Sequence, residues 1–324
     1  MKQPHKFRLF LLAILAFVLI SACRNNSSQQ LSSHTANTST EAVRVIDHAM
    51  GQTKVPVNPQ RVVVVRNGLD AALSLGVQPV GSVQLLPDDD YLKDKAEGIE
   101  SIGSDENPSL ESIAALKPDL ILGATFYNLE DNYDLLSQIA PTVIADVETS
   151  GDWQKLLNKY AEALGKTDEA RQILADYRAQ IDKFQAQMGD RLKETEVSLV
   201  NVYQDRIYIY LEDSFCGTIV ADTGLSRPSD QVNTKNLFSM TISKEQLDIA
   251  DADAIFVWSP ASNNSKEAIR EAQSRLKQLK ADPLWFKLDA VQQNKLYAVP
   301  GYWLGMGPIA ANLVLDDLFK YLVE

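Results

Sequence analysis

The chain reads as an α/β protein of two lobes joined by one long α-helix. Three observations predict this: an extended amphipathic stripe near the middle, short apolar strands alternating with helical segments on both sides of it, and a spaced motif that occurs once on each side. Between Thr167 and Gly189, the residues Ala170, Ile173, Leu174, Tyr177, Ile181, Phe184 and Met188 recur at the three-to-four-residue period of a single helix face. Thr167 is placed to cap the first turn, Asp168 and Glu169 suit its positive end, and Gly189 suits a left-handed close. At 1.5 Å per residue such a helix spans roughly 34 Å, about the width of a small domain.

Before the stripe, apolar runs at Val62–Val65, Val80–Val83, Leu120–Leu122 and Thr142–Ile144 alternate with helical segments at Leu69–Leu75, Leu110–Leu116 and Tyr133–Ile139. Strands this short, separated by helices, predict a mainly parallel sheet covered on both faces. Gly76, Pro79, Gly103, Pro108, Pro118 and Pro141 mark the boundaries. A further helix starts at Asp152, buries Trp153, Leu156, Leu157, Tyr160 and Leu164, and ends at Gly165.

After Gly189 the pattern restarts. Val197–Val202 and Ile207–Leu211 read as strands joined by a tight turn at Gln204 and Asp205. A helical stretch to Thr223, a polar loop carrying Pro228, a helix from Ser243, a strand at Ala254–Trp258, a helix from about Lys266 to Lys280, a strand at Leu296–Val299 and a last helix from Pro308 follow. The spaced motif is Ser109, Glu111, Ile113 and Asp119, repeated 134 residues later as Ser243, Glu245, Leu247 and Asp253. Each copy is a serine-capped helix with a glutamate in its first turn, followed by a strand. The expected organisation is a leader at residues 1–22, a tether at 23–42, a first lobe at 43–165, the joining helix at 166–190 and a second lobe at 191–324.

The leader is a targeting segment: Lys2, Lys6 and Arg8 precede an unbroken apolar run of 12 residues, Leu9–Ile20, too short to span a membrane. The Ser, Thr, Asn and Gln content between Arg24 and Glu41 suits a flexible tether, and the body begins near Val43. Removing the leader takes three of the 31 basic residues and none of the 43 acidic ones, moving the net charge from −12 to −15, so nucleic acid is an improbable partner. The chain has three histidines, His5, His34 and His48, and two cysteines. A catalytic thiol or a free-metal site built from converging His and Cys side chains is correspondingly disfavoured, and Cys216 reads as a small buried apolar residue. There is no nucleophile elbow, phosphate-binding glycine loop or His-Glu-x-x-His spacing, which weighs against an extracytoplasmic hydrolase, the competing class.

Ligands of α/β sheets bind beyond the carboxyl ends of strands. Arg66, Phe126, Tyr127, Trp258, Tyr302 and Trp303 fall at such ends, Tyr91 and Phe238 lie in polar loops, and Arg206 opens a strand. Arginine forks bind anionic oxygens and aromatic faces stack on flat groups, so this set suits a bulky, oxygen-rich, anionic ligand.

The end of the leader, Leu19-Ile20-Ser21-Ala22-Cys23, resembles the lipobox of bacterial lipoproteins, which implies removal of residues 1–22 and lipid attachment at Cys23. The run from Asn107 to Leu122, with Arg61-Val62-Val63-Val64 ahead of Ala72-Leu73-Ser74-Leu75-Gly76, Asp282-Pro283-Leu284-Trp285 and Trp303-Leu304-Gly305, resembles the iron-siderophore and cobalamin group (class III) of periplasmic substrate-binding proteins of ABC importers. The resemblance covers nearly everything from Val43 to Glu324. It implies two Rossmann-like lobes bridged by one long α-helix, with modest lobe closure. It also implies no catalysis, ligand contacts at Arg66, Tyr91, Tyr127, Arg206, Phe238, Trp258 and Trp303, and permease docking through Glu111 and Glu245. The expected partners are a ferric siderophore or similar iron chelate, an ABC permease, and a membrane reached through the lipid anchor, for a monomer outside the cytoplasm, in the periplasm or on the cell surface. No cofactor and no direct metal ligand are expected, because iron arrives already wrapped in chelator oxygens. Citrate-like, other carboxylate and catecholate chelates suit a positive contact such as Arg66; cobalamin and haem are the alternatives within the class.

Overall fold

The computed structural model describes residues 42–324 apart from 66–67, 106, 127–131, 233–236, 262–264 and 280. The strands are β1 (Val43–His48), β2 (Gly51–Pro56), β3 (Val62–Val64), β4 (Gly81–Ser82), β5 (Glu100–Ser101), β6 (Leu120–Ala124), β7 (Thr142–Ala145), β8 (Val197–Val202), β9 (Ile207–Tyr210), β10 (Ser239–Ile242), β11 (Ala254–Trp258) and β12 (Leu296–Ala298). The helices are α1 (Leu69–Ser74), α2 (Leu110–Ala115), α3 (Tyr133–Ile139), α4 (Trp153–Leu164), α5 (Thr167–Met188), α6 (Arg191–Glu194), α7 (Phe215–Thr223), α8 (Lys266–Leu279), α9 (Asp289–Gln292) and α10 (Pro308–Leu322).

Two five-stranded sheets form, in the orders β5-β4-β3-β6-β7 and β10-β9-β8-β11-β12. The first is parallel throughout. In the second, β8, β11 and β12 are parallel while β9 runs against β8 and β10 against β9. The same spatial order thus arises twice, and the difference comes from one connection. α1 carries the chain back from β3 to β4, whereas a tight turn sends β8 directly into β9. The β1–β2 hairpin and the edge strands β5 and β10 were not evident from apolar patterning: β1 keeps only Ile46 of its six residues buried, β5 has two residues, and β10 is mostly half-exposed.

Both faces of each sheet are covered, as continuous apolar strands require. Along β3, Val63 points to an outer cluster with Ile113 of α2, Ile121 and Leu136 of α3. Val62 and Val64 point the other way, into a cluster that runs without a break from the first sheet through Trp153, Tyr160 and the α5 stripe to Leu199, Phe256 and α10. The long helix is therefore one wall of a core common to both lobes. Six of its seven stripe residues are buried and Ile173 is partly so. Its ends differ from expectation in detail. Lys166 rather than Thr167 holds the N-cap position, with no side-chain cap, and Gly189 closes the helix at φ +56° and ψ −132°, a positive-φ conformation outside the left-handed helical well. Gly165, by contrast, ends α4 in that well.

Polar contacts fasten α5 to the second lobe: the Tyr177 hydroxyl donates to Asp222 at 2.9 Å and the Gln180 amide donates to Asn312 at 3.0 Å. A tighter link joins α1 to α10. The Asp70 carboxylate, 2% exposed, accepts the backbone N–H groups of Ile309 and Ala310 at 2.9 and 3.0 Å, and the Ser74 hydroxyl at 3.1 Å. It thereby caps a helix that begins 238 residues later in the chain, at Pro308, whose own missing N–H needs no partner. Gly307 lies so close to this carboxylate that no side chain could be accommodated there. Among the described residues, no helix is long and apolar enough to cross a membrane.

Asp70→Ala strands two helix N–H groups and should lower stability by about 1–3 kcal/mol in urea denaturation. Burial raises the Asp70 carboxyl above its ordinary 3.8, outweighing the two N–H bonds that favour its charge. The unfolded chain therefore releases this proton at lower pH than the folded one. The residue's contribution should fall as pH rises through that interval and be level above it, a slope that Asp70→Asn should remove.

Candidate functional site

A cavity of about 410 Å³ lies at the carboxyl ends of the first sheet's strands. Ser82 and the segment 83–86 follow β4, Asp88, Asp89 and Tyr91 come from the 3₁₀ turn Pro87–Leu92, Ser104 and Asp105 follow β5, and Leu304, Gly305 and Met306 approach from the second lobe. The volume is that of an ordinary small-molecule pocket. The turn Pro87–Leu92 meets the turn Gly301–Leu304 closely enough that a side chain at Gly301 would run into Asp88.

The electrostatics of this cavity are acidic. Asp70, Asp88, Asp89 and Asp105 line it, and none of the described lining residues is Lys, Arg or His. Asp70 is occupied by α10, and Asp89 accepts the Leu86 N–H at 2.9 Å. Burial, reinforced by the neighbouring Asp89 charge, raises the Asp88 carboxyl to about 6. Ser82 is buried, and its hydroxyl has no hydrogen-bond partner among the described residues.

Of the residues expected at the ligand, Tyr91 is at this cavity. Its hydroxyl donates to Asp70, and burial followed by the Asp70 charge raises the phenol well above 10. Its ring stands edge-on to Tyr302 at 6.2 Å. Trp258 and Trp303 are core side chains instead, 1% and 0% exposed. Trp303 stacks on Phe256 at 4.7 Å, its indole N–H donates to Asp317 at 2.9 Å, and the same carboxylate oxygen accepts the Tyr302 hydroxyl at 2.8 Å. Strand-end position alone does not distinguish a ring that faces a cleft from one that supports its floor. Phe238 is half-buried against Tyr210, which in turn contacts Trp258. Arg66, Tyr127 and Cys23 lie outside the described residues.

Arg206 is exposed at the β8–β9 turn, where it forms a two-pronged pair with Asp205 at 3.1 Å and donates to the Tyr208 hydroxyl at 3.2 Å. It lines a second hollow, about 540 Å³, together with Tyr203, Lys244, Glu245, Arg275 and Asp282. All of its walls belong to the second lobe, so the interlobe cavity is the better ligand site. The turn nevertheless reaches the cleft: Asp88 acts across it on the Tyr203 phenol, whose pKa is raised first by burial and then by that charge. Tyr203 meets Tyr208 edge-on at 5.5 Å.

The spaced motif has the same physical role in both lobes. Ser109 caps α2 by accepting the Ser112 N–H at 3.2 Å, and Ser243 caps a 3₁₀ turn, Lys244–Ala250, in a reciprocal arrangement with Gln246. Ile113 and Leu247 are buried, while Glu111 and Glu245 are exposed in the first turns. Asp119 accepts the N–H groups of Gln60 and Arg61 at 2.7 and 2.9 Å, and Asp253 accepts that of Glu196 at 2.8 Å. Each aspartate thus ties the start of its own strand, β6 or β11, to the start of the parallel neighbour, β3 or β8. Cys216 is buried in α7, its thiol pushed up to about 11 by burial, and it has the properties of an inert core residue. Among the described residues no three His, Cys, Asp or Glu side chains converge as a metal-ion shell.

The cavity residues that sequence reasoning passed over are Ser82, Asp88, Asp89 and Asp105. A usable signal existed for two of them, because three consecutive aspartates directly after an apolar strand are an unusual way to leave a sheet.

Two α/β lobes on a common helical layer, with a cavity at the strand ends between them, define a binding protein of the class III periplasmic type. The chain belongs to the periplasmic binding protein family, whose sequence profile matches residues 67–302. It is 37% identical to the probable siderophore-binding lipoprotein YfiY of Bacillus subtilis, over 99% of each chain. It is 31% identical to the achromobactin-binding periplasmic protein of Dickeya dadantii, over 81% of this chain and 86% of that one. The fold superposes on Staphylococcus aureus SirA complexed with staphyloferrin B with a TM-score of 0.74 and 31% identity, covering 86% of this chain and 98% of that one.

Trp303→Ala should cost about 3–5 kcal/mol of stability in urea denaturation, as for other buried aromatic residues. Arg206→Ala should leave stability within about 0.5 kcal/mol, as for exposed positions.

Proposed function

We propose that this protein is the extracytoplasmic receptor of an ABC importer, taking a ferric siderophore into the interlobe cavity and presenting it to the permease. The observation that carries the proposal is the cavity itself: it is sized for a small ligand, placed where two lobes meet at strand ends, and found in a chain whose relatives are named for the siderophores they bind. The chemistry is binding and release. Iron comes with the ligand as cargo, its coordination sphere filled by chelator oxygens, so the cavity has to recognise the outside of the complex.

In this reading residues 1–22 are a cleaved signal, Cys23 carries lipid, and the segment to residue 42 tethers the body to a membrane. Glu111 and Glu245 are the permease contacts. Both are exposed, both sit in a first turn secured by a serine, and each is anchored to its sheet through Asp119 or Asp253. Two such points, one on each lobe, would let a transporter sense the spacing between lobes. Because the lobes share an apolar layer, that spacing changes by small adjustments. The protein acts as a monomer in this account.

Titration with ferric siderophores should quench the intrinsic fluorescence of the four tryptophans, with the iron-free chelator at equal concentration giving no comparable signal. Equal responses to both would count against recognition of the metal complex. Replacing Glu111 and Glu245 together by Ala should reduce iron uptake in cells at least tenfold, the equivalent of about 1.4 kcal/mol, with ligand affinity unchanged. Loss of affinity instead would remove both residues from the docking role.

A further inference from the structure

This inference rests on the interlobe cavity being the ligand site. We infer that the cavity selects iron chelates carrying a protonated amine, with the ammonium held by Asp88, Asp89 and the unpartnered hydroxyl of Ser82. Four carboxylates converge on a cavity to which the described lining residues contribute no cation. Asp70 is committed to α10 and Asp89 partly to the Leu86 N–H, but Asp88 has no hydrogen-bond partner among the described residues. Ser82 is 2% exposed, lines the same cavity and has its hydroxyl unsatisfied. A buried hydroxyl without a partner beside an unpaired carboxylate is an incomplete hydrogen-bonding set. An ammonium supplies three donors and the missing positive charge. A free carboxylate of a chelate would meet like charge at this end and is better placed toward Tyr203, Tyr208 and Arg206 on the other lobe. The cleft therefore has a polarity, acidic on the first lobe and phenolic and basic on the second.

The groups facing Asp88 are Asp89 and Tyr91 on its own turn, Tyr203 from the β8–β9 turn, Tyr302 from the turn that packs on it, and Asp70 and Asp105 across the cavity. None is cationic, so ionisation of Asp88 near pH 6 strengthens the hold on an ammonium and protonation weakens it.

The test uses matched ferric chelates that differ only at one amine: ferric desferrioxamine B and its N-acetyl derivative, and a ferric citrate-based chelate bearing a primary amine and its N-acetyl twin. Ferric catecholate, haem and cobalamin complete the panel. Fluorescence titration at pH 7.5 should give at least tenfold tighter binding for the amine-bearing member of a pair. The ratio should shrink below pH 6, approach unity in Asp88→Asn, and fall by a few-fold in Ser82→Ala, a change that removes no hydrogen bond from the fold. Equal binding within a pair, a ratio that survives Asp88→Asn, or binding confined to amine-free members of the panel would overturn the inference and leave the receptor reading standing. Binding of no member of the panel would remove both.

Discussion

The Asp70 carboxylate and the helix end that it caps hold the architecture to one arrangement. A buried charge is costly, and here it is offset by two backbone N–H groups, a serine hydroxyl and the phenol of Tyr91. Those donors come from α1, the cavity wall and α10, so the first lobe, the site and the last helix are joined at one atom group. Around that polar point the apolar layer of α4, α5 and α10 is continuous with both sheets. A molecule built this way does not hinge freely about a flexible linker. Movement of one lobe relative to the other has to slide packed helices or strain the Asp70 cap, which confines it to small displacements.

The two lobes solve the same folding problem with the same parts. Their sheets have matching strand orders, and Asp119 and Asp253 use one hydrogen-bonding device to align a pair of parallel strands at their amino ends. The serine caps and exposed glutamates are carried along by that device. Where the lobes depart from each other, at the antiparallel β9 and β10, the second lobe gains a short turn that projects Tyr203, Arg206 and Tyr208 toward the first. The asymmetry of the fold thus produces the asymmetry of the cleft.

That asymmetry also qualifies the simplest electrostatic expectation. An acidic protein that binds an anionic iron complex was expected to present arginine and aromatic faces, but the described lining of the cavity is acidic and hydroxylic on the first lobe. Recognition of a mixed-charge ligand is consistent with both walls, each side accepting the part of the chelate that complements it.

The sequence by itself determined the α/β class, the number of major lobes, the long helix and most of its neighbours, because each depends on local periodicity or on a residue such as Gly165 whose conformational freedom is intrinsic. The repeated Ser-Glu-Asp spacing was equally legible, since its hydrogen bonds close within a capped turn or between adjacent strands. Only the tertiary structure decided that Trp258 and Trp303 are core, that Asp70 meets α10, and that Ser82 and Asp88 share a cavity. Those facts depend on which face of a strand end is covered and on contacts between residues more than two hundred positions apart, as at Asp70 and Ile309. A linear pattern records how often a residue turns toward an interior, but the distance closed by folding sets what it meets there.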